Sequence, residues 1–187
     1  MASLALVPGR WVGVGASLHP DPTTDLDAAL ERRRQHDREV LAAAAAQLGP
    51  DGMPDWIAQL TLSADGFLFS RPLPEVPDGV SVIAGYPWFG DWGRDTMIAL
   101  PGLTLATGRP ELARRILDTF ARFVDRGMLP NVFPGAGQVP DYNTADAALW
   151  FFEAWRAYVE ATGDTAALAA VFPVLAEMVN WHRVGTR

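Results

Sequence analysis

Two kinds of connector alternate along this chain, and that alternation constrains its fold more than any other feature. Apolar residues at helical spacing form segments joined either by a short glycine turn, at Gly108 and Gly163, or by a long aromatic and proline-rich loop, at 72–92 and 127–143. A short turn makes two helices antiparallel neighbours, and a long loop without periodicity gathers functional groups at one end of the helices. The pattern predicts an all-α chain of about six helices arranged as hairpins in a ring.

The helix limits follow from local signals. Asp25 or Asp27 is expected to cap a helix to about Leu48, its first half charged and solvated, with Gly49-Pro50 as the stop. A second helix begins at Asp55 and carries Trp56, Ile57 and Leu60; Phe67-Leu68-Phe69 reads as its end or as a short strand. The next runs from about Arg94 to Thr107, and Pro110 opens its partner, in which Leu112, Ile116, Phe120 and Phe123 recur at helical spacing up to Gly127. The following helix spans about Thr144 to Thr162, and its early run Ala147–Phe152 is apolar all round, which predicts deep burial. Asp164 or Thr165 caps the last helix, with Leu168, Val171, Leu175 and Met178 as its buried stripe. Residues 1–24 read as an irregular or β arm, and 25–187 as the helical domain.

With 187 residues, 49% of them hydrophobic, the chain supports a real core. Its net charge of −7 disfavours nucleic acid and anionic membranes, which select basic surfaces. The absence of cysteine removes disulfides, thiolate metal sites and cysteine nucleophiles. The three histidines are scattered, and no P-loop, dinucleotide fingerprint or nucleophile elbow is present, so neither a metal nor another cofactor is expected. The first eight residues lack a basic start and a long apolar core, and the reading is a soluble, cytoplasmic protein.

The chemistry sits in two clusters. Gly85-Tyr86-Pro87-Trp88-Phe89-Gly90-Asp91-Trp92-Gly93-Arg94-Asp95-Thr96 places stacking faces beside a guanidinium and carboxylates. Pro140-Asp141-Tyr142-Asn143-Thr144-Ala145-Asp146 opens the aromatic-rich helix. A sugar ring needs both kinds of group: its apolar face packs on an aromatic ring, and its hydroxyls bond to carboxylate and guanidinium. Arg94 and Asp95 are candidates to grip hydroxyls, with Trp88, Phe89 and Trp92 as walls and Asn131, Tyr142 and Asn143 as further contacts. Asp146 is the candidate proton donor. The bland alternatives are an Arg94–Asp95 pair at a helix start, and a capping box in which Asn143 is the N-cap and Asp146 the third helical residue. Asp91 and Asp141 are expected to shape loops, and Glu153 to pair with Arg156.

At these motifs the chain resembles the C-terminal, amylo-α-1,6-glucosidase part of glycogen-debranching enzymes. The matching blocks are Gly85–Phe89, Trp92–Leu103, Gly127–Pro134 and Tyr142–Ala147, within a stretch of roughly 54–183. The resemblance implies an α/α toroid built from six helical hairpins, and hydrolysis of single α-1,6-linked glucose stubs on a branched α-glucan such as glycogen or limit dextrin, with inversion. It implies Arg94 and Asp95 as the clamp on the terminal glucose and Asp146 as the general acid. It also implies that 1–24 is a junction to an upstream β domain and 25–187 the first half of a toroid. The family's general base then lies outside this chain, and the polypeptide is expected to be a fragment, inactive alone and exposing apolar faces. Two other readings stay open: another toroidal glucosidase, of glucoamylase or trehalase type, and a sugar-binding piece without catalysis.

Overall fold

The computed structural model describes residues 5, 7–9, 11–14, 25–48, 52–73, 76–133 and 139–186. It divides the chain into two compact units, 1–39 and 40–187. Of the arm expected over 1–24, the described residues carry no strand, and the rest lies outside the described residues.

The architecture is mostly helical: α1 (Leu26–Ala45), α2 (Asp55–Asp65), α3 (Gly93–Leu100), α4 (Pro110–Ala121), α5 (Asp146–Thr162) and α6 (Thr165–Val184). A small antiparallel pair, β1 (Leu68–Ser70) and β2 (Val80–Val82), lies between α2 and α3, with Leu68 opposite Val82 and Ser70 opposite Val80. Phe67-Leu68-Phe69 therefore resolves in favour of a strand.

In the first unit Asp25 caps α1, its Oδ1 accepting from the Ala28 N–H at 2.9 Å. Ion pairs such as Arg33–Asp37 and Arg38–Glu31 lace the solvated part of the helix, as its charge pattern implies.

The second unit holds the core. Leu100, Ile116, Leu117, Phe120, Phe151 and Trp155 are almost wholly buried and bring α3, α4 and α5 together. Phe133 closes this core between Phe120 and Phe123, edge to face, with centroids 4.7 and 4.8 Å away. From α6, Val171, Leu175 and Met178 are buried and Leu168 packs against the core, which is the expected stripe. The glycine at 163 terminates α5 in the left-handed region, with φ 68°. Asp164 then caps α6 by accepting the Ala167 N–H at 2.8 Å.

Three expectations need correction. The helix expected to run unbroken to Thr107 is α3 followed by a π-helical turn over Pro101–Leu105; proline at 101 has no N–H to continue the α ladder. α2 turns Trp56 and Leu60 outward and buries Thr61 and Asp65. Asp65 is buried because it pairs with Arg109 at 2.5 Å, and Arg109 also donates to the Leu103 carbonyl at 3.0 Å, tying the end of α2 to the turn before α4. Finally, the apolar run that opens α5 is not buried all round: Ala147, Ala148 and Phe151 are buried, but Leu149 and Trp150 are exposed.

Candidate functional site

The two motifs are far apart in sequence, and one extended segment, 131–133, brings them together. Trp92 bridges to Val132 on one side, and Val132 bridges to Asp141 on the other. The Gly93 N–H donates to the Asn131 carbonyl at 2.8 Å, and the Asn131 N–H donates to the Asp141 carbonyl at 2.8 Å. The first turn of α3 and the approach to α5 thus hang from the same backbone. A glycine is required at 93: a Cβ there would lie 1.9 Å from the Pro130 carbonyl oxygen.

This stitching places Arg94, in the first turn of α3, against Asp146, the first residue of α5. The guanidinium Nη1 lies 3.6 Å from Asp146 Oδ2, and the two side chains are 42% and 48% exposed. Both groups are therefore reachable from solvent while held by rigid helices. Neither α3 nor α5 has a side-chain cap, and the positive dipole end of each helix lies at these residues.

The capping-box expectation is overturned here. Asp146 opens α5 with Ala145 as its N-cap, so Asp146 is the first helical residue rather than the third. Asn143 is engaged elsewhere: its Oδ1 accepts from Asn131 Nδ2 at 2.8 Å, and its Nδ2 donates to Asp141 Oδ2 at 2.9 Å. A side chain holding two tertiary partners is not free to fold back on the helix start.

Asp95 parts company with Arg94. It is exposed and lines an apolar cleft of about 390 Å³ with Phe67, Val82, Ile83, Ile98 and Leu103. Among the described residues its carboxylate makes no ion pair or hydrogen bond. The aromatic residues sit on a tight hairpin closed by the Gly85–Phe89 bridge. Trp88 is 84% exposed at its tip, Phe89 is exposed, and Trp92 is half-buried edge-on to Phe89 with centroids 6.0 Å apart. Trp150 follows Asp146 by four residues on α5, so it stands on the same helix face one turn away, also exposed.

Two of the expected contacts have a part in the frame. Asn131 is 3% exposed, and its amide braces Asn143. The Tyr142 hydroxyl donates to the Phe123 carbonyl at 2.7 Å, pinning the loop before α5 to the end of α4. Glu153 pairs with Arg156 at 2.8 Å, as expected.

Asp91 shapes the loop through partners that sequence spacing conceals. It is 2% exposed, accepts from Arg71 Nη1 at 2.9 Å and from Ser81 Oγ at 2.9 Å, and Arg71 in turn lies over the Phe133 ring. Burial pushes its carboxyl above the ordinary range, with Arg71 and Ser81 opposing. Arg71 stands 20 residues before Asp91, beside a proline-rich loop, and only the β1–β2 pairing brings it near.

Among the described residues no helix is long and apolar enough to cross a membrane, and no three metal-ligating side chains cluster.

Comparison with known proteins matches residues 62–187 to the family described as Amylo-alpha-1,6-glucosidase. A similar protein is the Glycogen debranching enzyme of Saccharomyces cerevisiae, 39% identical over 89 residues, which is 45% of this chain and 6% of that protein. The chain thus spans a small part of that relative's length. The family match covers well over half of the chain and includes both motifs and the segment that joins them: this chain belongs to the amylo-alpha-1,6-glucosidase family.

Proposed function

We propose that the junction of α3 and α5 takes the terminal glucose of an α-1,6-linked stub on a branched α-glucan, as one half of a debranching glucosidase site. The observation that carries this reading is the pairing of Arg94 with Asp146 on two helix starts, half-exposed, with the exposed rings of Trp88 and Phe89 on the hairpin that precedes α3 in the chain. In this reading Arg94 donates its planar fork to hydroxyls, Trp88 and Phe89 stack on the sugar, and Asp146 protonates the bridging oxygen. Asp95 reaches the sugar from the rim of its cleft. An inverting displacement needs a second carboxylate on the far side of the ring to activate water. That base comes from outside this chain, from the second half of an α/α toroid.

One observation favours a second reading, sugar binding without hydrolysis. A carboxylate held by a guanidinium receives hydroxyl hydrogens without transferring a proton, and the Arg94–Asp146 pair has that form.

The experiment compares Asp146→Asn with the native sequence in the full-length protein, following glucose released from a limit dextrin and binding of the same glucan. The hydrolytic reading expects release to vanish while binding persists. Release at the native rate from the Asn variant sinks the acid assignment, and loss of binding with no native hydrolysis to lose supports the binding-only reading.

A further inference from the structure

Asn131 has every group but one committed to joining the two motifs. Its carbonyl accepts from Gly93 at the head of α3, its N–H donates to Asp141 before α5, and its Nδ2 donates to Asn143. The direction of the side-chain relay is fixed chemically. A carboxylate oxygen accepts, so Asn143 turns its Nδ2 toward Asp141 Oδ2, at 2.9 Å. That turns Asn143 Oδ1 toward Asn131, and only an N–H donor satisfies it. Among the described residues Asn131 Oδ1 has no hydrogen-bond partner, although the residue is 97% buried, the complement of its 3% exposure. Leaving a buried amide oxygen unpaired costs free energy, and the other end of the amide has to justify it.

We infer that the Asn131–Asn143 hydrogen bond is a latch that sets the spacing of Arg94 and Asp146, and that Asn131 is a positioning residue rather than a sugar contact. The proposal rests on the reading of Arg94 and Asp146 as the sugar site. The latch holds the last residues before α5 against the segment that carries the first turn of α3. Without it, the two backbone bonds at Asn131 and the Tyr142 hydroxyl bond remain, but residues 143–145 lose their side-chain tie, and the first turn of α5, which begins at Asp146, shifts with them. An error of about 1 Å between reacting groups is enough to matter.

The test uses Asn131→Ala, Asn143→Ala and the double variant. Crystal structures give the Arg94–Asp146 separation, and titration with isomaltose gives affinity. Either single variant is expected to open the pair beyond salt-bridge range and to weaken isomaltose about tenfold. The double variant is expected to match Asn143→Ala, which already loses both the bond to Asn131 and the bond to Asp141, because the latch is lost only once. Asn143→Ala removes an exposed side chain and keeps the fold, so the test survives if Asn131→Ala does not fold. An unchanged separation in Asn143→Ala, or additive losses in the double variant, overturns the latch. The titrations use the full-length protein: if it binds no isomaltose while the pair still opens in the variants, the latch stands and the sugar reading fails.

Discussion

Arg94–Asp146 and Arg71–Asp91 are chemically the same pair in opposite surroundings, and burial decides what each one does. The first is half-exposed, so it adds roughly 0–1 kcal/mol to stability and leaves its donors available to a ligand. Arg94→Lys keeps the charge and loses the planar fork. It is expected to weaken isomaltose about tenfold in a calorimetric titration without moving the melting temperature. The second pair is buried, with side-chain exposures of 19% and 3%. Asp91→Ala removes the buried carboxylate that Arg71 and Ser81 both bond and is expected to cost about 3–5 kcal/mol, read from urea unfolding. The pH dependence separates the carboxylates further. The raised carboxyl of Asp91 favours the folded state at low pH, and that contribution is lost as pH rises from 3.8 through its folded value. The Asp164 carboxyl is held below 3.8, first by the Ala167 N–H and then by the Tyr158 hydroxyl. Its contribution is therefore complete above that value and is lost as pH falls further. Asp164→Asn is expected to remove the acid-side part of the unfolding profile while Asp91→Asn removes the opposing slope.

At the scale of elements, starts and stops were legible in the chain because they are local chemistry. Asp25 and Asp164 cap, Pro110 opens α4, and Gly163 takes the left-handed turn, all within a few residues of where they act. The outlines of α2, α5 and α6 followed, whereas α4, expected to reach Gly127, stops at Ala121. What was not legible depends on partners distant in sequence. The β1–β2 pair forms across a proline-rich loop, and Asn143 matched a capping pattern but was taken by Asn131 and Asp141. The site shows the same division. The motifs contain Arg94 and Asp146, but their pairing, the separation of Asp95 into its own cleft and the bracing bonds of Asn131 and Tyr142 needed the packing of α3 on α5. Gly93 is where these levels meet. Gly93→Ala drives a methyl into the Pro130 carbonyl, and backbone cannot yield as a side-chain tip can. It is expected to cost about 1–3 kcal/mol and to abolish isomaltose binding together, because the strain separates α3 from the segment that fixes Arg94. A stability loss with full binding would show that α3 is positioned independently of segment 131–133.

For the second unit as a whole, the core covers only part of the apolar surface its helices carry. On α6 the buried residues Val171, Leu175 and Met178 lie beside a second, exposed apolar row in which Phe172 is 62% and Val179 51% exposed. Phe172 and Val179 are seven residues apart, so they share one face across two turns. A helix apolar over so wide an arc is built to be packed from more than one side. That face is expected to associate with another copy in water, the more so because the groove lined by Phe152, Val159 and Leu168 is also apolar. Light scattering on the chain is expected to show concentration-dependent association. The double variant Phe172→Glu and Val179→Lys is expected to suppress it without lowering the melting temperature, because both residues already face solvent. The two charges also stand at a spacing that keeps them on one face without entering the core. If scattering is the same with and without the charges, association runs through another surface, and the exposed rings of Trp88 and Trp56 become the next place to substitute.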